Sequence, residues 1–95
     1  MATIPVGFTV VELGRVFVTE KAASRLDQDD AMSCLSRHMI GDYGDIDAAD
    51  WKGNDAACAF GFRVVSSYSD RERNRFLIVT EADRSATTIL LPEEY

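Results

Sequence analysis

The sequence predicts an α+β domain: an N-terminal strand, two to three helices, then a three-stranded antiparallel meander, with the helices packed on one face of the sheet. Three observations predict it. Valine and phenylalanine crowd residues 8–18, ahead of any helical signal. Apolar residues then recur at three- and four-residue spacing between residues 20 and 60. After Gly61 the period falls to two, in "FRVVSSY", "RFLIVTEA" and "ATTILL".

The elements follow in chain order. Residues 1–7, with Pro5 and Gly7, are expected to be a loose lead. Residues 8–19 suit a strand, with Gly14 as a bend or bulge. Thr19 is placed to cap a short helix that carries Ala22, Ala23 and Leu26 on one side. "DQDD" supplies caps and first-turn acids for a second helix, with Ala31, Cys34, Leu35, His38 and Met39 as its apolar stripe and Gly41 as its stop. A third helix starts near Asp47, with Asp50 three residues on, and ends at Gly61. Its inner face is Trp51, Asn54, Ala57 and Cys58; Ala56 and Phe60 offer a competing face, and Gly53 weakens the helix by about 1 kcal/mol relative to alanine. The strands of residues 62–91 are joined by "SDRERN" and "DRS", both short enough for hairpins.

Length and charge narrow the function. Ninety-five residues make one domain, 1–95, without repeats or linkers. The net charge of −6, with only two lysines among ten bases, disfavours a generic nucleic-acid binder, because that binding is driven by counterion release from phosphates. Residues 20–55 hold nine acids and four bases, so the middle of the chain repels phosphate. Cys34 and Cys58 sit in helical stretches and read as reduced thiols. No apolar run approaches the roughly 18–20 residues of a membrane span, and no basic segment with a long apolar core opens the chain. The cytoplasm is the expected location.

Motifs for catalysis are missing. An EF-hand register starting at Asp42 fails, since Gly44 and Asp47 fall where an acid and a glycine are needed. Cys34 and His38 are spaced as helical zinc ligands, yet only Cys58 offers a third soft donor. There is no nucleophile elbow and no glycine-rich phosphate loop, and no cofactor is implied. What remains is a candidate polar cluster: His38, Asp42 and Asp45 around the second helix's end, Asn54, and the turn residues Glu81, Asp83 and Arg84. Its structural alternative is a hydrogen-bonded network that holds the helices to the sheet, with Arg84 paired to Asp83, Asp42 or Asp45. Arg71, Arg73 and Arg75 offer a contact for phosphate or an acidic protein, against the plainer reading of a solvated turn. Phe76 and Ile78 face one side of their strand and Leu77 and Val79 the other, as Ile89 and Leu91 oppose Leu90. Three short helices cover one face only. Leu77, Val79 and Leu90 are therefore a candidate interaction surface, unless the N-terminal segment crosses it.

"LSRHMIGDYGDID", "NDAACAFGFRVVSSY" and "TEADRSATTILLPEEY" resemble a family of small bacterial proteins of plasmids and integrative elements, some labelled type I restriction methylase subunits. The resemblance spans residues 13–95 and lends no catalytic residue. It departs at Tyr43, where tryptophan is commoner, and in a longer lead. A methylase activity does not fit: a 95-residue chain without a cofactor loop, whose prolines Pro5 and Pro92 stand alone, has neither the cofactor fold nor the Pro-Pro-aromatic motif. The resemblance implies a mobile-element setting. Three functions follow as expectations. One is a non-enzymatic module that binds a protein partner or itself. A second is an acidic DNA mimic that inhibits host defence. The third is a small metal-dependent hydrolase built on the polar cluster.

Overall fold

A computed structural model of the chain describes residues 10–95. Strand β1 (Arg15–Val18) leads into helices α1 (Glu20–Arg25), α2 (Gln28–Met39) and α3 (Ala48–Phe60), followed by β2 (Val64–Ser69), β3 (Arg75–Thr80) and β4 (Ala86–Leu90). A single 3-10 turn at Pro92–Glu94 closes the described chain.

The helix boundaries obey local capping chemistry. Thr19, Asp27 and Asp47 each accept an amide hydrogen bond from the residue three positions on, satisfying one of the orphan N–H groups of α1, α2 and α3. Gly61 ends α3 in the left-handed conformation, at φ +78°. On α2 the buried residues are Ala31, Cys34, Leu35 and His38, while Met39 is exposed. On α3, Asn54 and Ala57 are buried and Trp51 and Cys58 half-buried.

The sheet order is β1-β4-β3-β2. β2, β3 and β4 are antiparallel neighbours, in a register that sets Ser66 opposite Ile78 and Ile78 opposite Ile89. The expected antiparallel meander is present as β2-β3-β4, but β1 joins the far side of β4 in parallel, Arg15 opposite Ala86 and Val18 opposite Ile89, so the four-stranded sheet is mixed. The predicted strand of residues 8–19 also shortens to four residues, and its first two positions and the lead 1–7 lie outside the described residues. Gly14 explains the late start. It has φ +62°, and a Cβ there would overlap the carbonyls of Arg84 and Ser85, so the chain enters the sheet only after passing this turn.

Alternation divides the strands. Val64, Ser66, Tyr68, Phe76, Ile78, Thr80, Thr87 and Ile89 share one face by register. There Cys34 and Leu35 of α2 pack with Tyr68, Phe76, Ile78 and Ile89. A second cluster sets Ala57 of α3 and Tyr43 against Val64 and Val11. Val65, Leu77, Val79, Thr88 and Leu90 share the other face.

The two edges of the sheet differ. At β2 the outward amide and carbonyl of Val65 are both taken by the side chain of Asn54, at 3.1 and 2.7 Å. Those of Ser67 are taken by the main chain of Tyr43 and Asp45, at 3.1 and 2.7 Å. Gly44 makes this approach possible, since its φ is +75° and a Cβ would strike the Ser67 carbonyl and the Tyr68 ring. The β2 edge is closed; among the described residues nothing closes the β1 edge.

Candidate functional site

The predicted polar cluster separates into four places. His38 is fully buried between α2 and the sheet. Its Nδ1 lies 2.6 Å from Ser66 Oγ and its Nε2 2.8 Å from Thr80 Oγ1, and the chain continues from Thr80 to Thr87, 2.7 Å, and to the Leu13 carbonyl, 2.7 Å. The proton order follows from the last acceptor. Thr87 must donate to the carbonyl, so it accepts from Thr80, which accepts from Nε2–H, leaving Nδ1 to accept from Ser66. Burial, with the charge of Arg84 second, lowers the His38 pKa from 6.5 to about 4. A neutral, doubly bonded imidazole with no solvent access is a structural group; Ser66, equally buried, is no nucleophile.

Asp42 is held by Arg37 at 2.8 Å, which keeps its carboxyl below the usual range, and Arg37 also lies over the Tyr68 ring. Asp45 and Asn54 belong to the closed β2 edge. Glu81 pairs with Arg63 at 3.0 Å, and Asp83 accepts from the amide and hydroxyl of Ser85 within the turn. Arg84 pairs with none of the three aspartates expected. Its guanidinium donates to four main-chain carbonyls, Ala57 and Phe62 at the end of α3 and Glu81 and Ala82 in the β3–β4 turn. Cationic donors suit a helix C-terminus, where the dipole is negative. Among the described residues no hydrogen bond or ion pair joins Asp42 or Asp45 to this turn, and no three His, Cys, Asp or Glu side chains converge as metal ligands. The turn therefore holds α3 and not the "GDYGD" loop. Arg84→Ala is expected to cost about 2 kcal/mol, a fall of roughly 8–16 °C in Tm by calorimetry. Arg84 has φ +61°, a cost alanine keeps, so the difference reads the guanidinium; an unchanged Tm would strip these four bonds of weight.

Two of the three hairpin arginines are engaged: Arg75 donates to Ser67 Oγ at 2.7 Å, whereas the exposed Arg73 side chain has no partner among the described residues. Arg71 grips Asp30 through Nε and Nη2 at 3.0 and 2.9 Å and lies 3.3 Å from Asp27, tying the β2–β3 turn to the start of α2. Asp70, which the sequence reading passed over, is the most connected carboxylate in that turn. It accepts from the amides of Asp27, Glu72 and Asn74 and from the Asn74 side chain. Its signal in the sequence is the Asp-x-x-x-Asn spacing of a turn whose acid binds its own backbone.

The expected interaction surface is largely filled. Val79 and Leu90 are 3% and 8% exposed and Leu77 is half-buried, on a face where Val65 and Thr88 flank Val79 and Leu90 stands opposite Leu77. Leu77 floors a shallow groove of about 630 Å³ whose walls are Asp45, Asp47 and Asp50 on one side and Arg63 and Arg75 on the other. Opposed charges leave it no clear preference for one sign of ligand.

Exposed apolar side chains include Phe60 and Phe62 beside the end of α3, and a run of three lies on β1. Val16, Phe17 and Val18 are 45%, 46% and 50% exposed. Arg15 N–H donates to Ser85 and Thr19 N–H to Ile89, so the odd-numbered residues of this parallel ladder serve β4. The amides and carbonyls of Val16 and Val18 face outward, and no described residue pairs with them. Beside the strand, Val18, Ala22, Leu26, Ala31, Met32 and Ile89 line an apolar groove of about 290 Å³, with Met32 half-exposed at its rim. Sequence reasoning found the strand but not its edge position, since apolar alternation carries no mark of which strand ends a sheet. No match to the chain is found among family models, curated proteins or solved structures.

Proposed function

We propose that the protein is a non-enzymatic interaction module that takes up an extended segment of a protein partner along β1. The observation that carries this is the contrast between the edges. Sheet edges are templates for further pairing, and native proteins blunt them with charges, proline, bulges or covering segments. This fold covers β2 with a dedicated asparagine and a tight loop. Among the described residues β1 has neither, and three consecutive large apolar side chains accompany its outward backbone groups. Strand addition draws affinity from the main chain and specificity from side-chain pockets, and the groove beside Val18 supplies such a pocket.

The alternatives find less support. A DNA mimic needs a row of unpaired carboxylates, whereas Asp30, Asp42, Glu81 and Glu93 are each met by an arginine, and Asp27 and Asp47 are helix caps. A metal-dependent hydrolase would have to draw its ligands from residues that stand apart or are fully engaged. The mobile-element setting rests on the sequence resemblance alone.

A photo-reactive amino acid placed at Val16 or Val18 and, as control, at exposed Lys52 tests the site in living cells. Adducts from the two β1 positions and none from Lys52 are expected. A folded protein giving no adduct from either β1 position would rule out this use of the edge.

A further inference from the structure

We infer that the segment received along β1 is β1 of a second copy, running antiparallel across a two-fold axis at Phe17. This rests on the reading of β1 as a docking edge and names its occupant.

Registers are few. An antiparallel ladder requires outward-facing residues to oppose each other, and in β1 these are Val16 and Val18. Two-fold pairings can then centre on residue 16, 17 or 18. Centring on Val16 sets Phe17 against Arg15 and Val18 against Gly14. Centring on Val18 sets Val16 against Glu20 and Phe17 against Thr19. Only the Phe17 centre matches apolar with apolar throughout, each Val16 facing Val18 and Phe17 facing Phe17. Four backbone hydrogen bonds close, and two four-stranded sheets become one of eight strands.

Charge selects the same direction. Arg15 opens the strand and Glu20 follows it, and neither makes an ion pair among the described residues. The Arg15 guanidinium lies over its own Phe17 ring, 5.5 Å from the centroid, so it already sits along the exposed side of the strand. Antiparallel pairing brings each Arg15 beside Thr19 of the second copy, one residue from Glu20. A parallel arrangement would set Arg15 against Arg15. Antiparallel pairing across a two-fold also closes, because the same patch serves both copies. On the helix-covered face, Val16 of the second copy meets Val18 at the mouth of the apolar groove.

Sedimentation velocity of the full chain over a range of concentrations tests this. A reversible dimer is expected. Arg15→Glu should weaken it roughly tenfold, by turning two attractions into repulsions, and adding Glu20→Arg should restore it. Phe17→Cys should oxidise in air to a dimer whose disulfide maps to residue 17, because a non-hydrogen-bonded antiparallel pair sets the two Cα atoms about 4.5 Å apart. A dimer that ignores the charge swap and yields no such disulfide overturns the register. A monomer at all concentrations overturns self-pairing, and the β1 adducts then decide the broader reading. Adducts to another protein keep β1 as a docking edge. Slow hydrogen exchange at the Val16 and Val18 amides of a monomer assigns the edge to residues 1–9 of the same chain, and both proposals fall.

Discussion

Asp70→Ala is expected to cost about 3 kcal/mol of folding stability, a fall of roughly 12–24 °C in Tm. Burial by itself would raise this carboxyl. The amides of Asp27, Asn74 and Glu72 and the side chain of Asn74 outweigh it and bring the pKa down to about 2. Alanine leaves the three amides with no acceptor at a residue only 6% exposed, and leaves the Asn74 side chain only its 3.3 Å bond to the Arg25 carbonyl. Two elements loosen together: the β2–β3 turn loses its internal acceptor, and the α2 cap residue Asp27 loses its tie to the sheet. Asp70→Asn keeps the shape and part of the bonding, and should cost about half as much. Urea denaturation of both variants checks the order, and a loss below about 1 kcal/mol for alanine would refute the role given to Asp70.

Acidification between pH 7 and pH 4 should remove about 3 kcal/mol through His38 alone. The folded pKa is about 4 against an ordinary 6.5. Between these values the unfolded chain binds a proton that the folded chain refuses, so stability is complete above about pH 6.5 and declines as pH falls toward 4. The carboxylates act later. Asp70, lowered from 3.8 to about 2, adds its loss only below about pH 4. His38→Gln keeps a donor and an acceptor but has no proton to gain. It should start less stable, with a stability nearly flat across pH 4–6.5. Urea midpoints measured at half-unit steps separate the two curves, and a wild-type curve without slope in that window would mean the imidazole is not held neutral.

Much of the fold was legible because its signals are local. Thr19, Asp27, Asp47 and Gly61 are caps whose function depends on neighbours within a turn, and the three strands after Gly61 announce themselves by period. The parallel seat of β1 was not legible. Val16 and Val18 alternate with Phe17 in the same way whether the strand is central or at a rim, and the partner, Ala86 to Ile89, is far along the chain. Asn54 stood out rightly as a polar residue on an apolar stripe that needs partners, but those partners are the amide and carbonyl of Val65. Arg84 misled for the same reason: its acceptors are carbonyls, which every residue carries and no sequence displays. Acids invite pairing with the nearest arginine in sequence, so Asp70 was hidden among the charges of "SDRERN" although its donors are mostly amides.

The parallel joining of β1 to β4 has a consequence for synthesis. Translation at about 5–20 residues per second delivers β4 roughly 4–14 s after β1 has been made. Throughout that interval the Val-Phe-Val strand lacks its one neighbour among the described strands, and contacts of such long range are slow to form in any case. A nascent chain stalled before Ala86 should therefore remain open to proteases and to chaperones that grip apolar extended segments. Release of a few more residues should pair one edge of the strand with β4 in a single step and leave only the outer edge open.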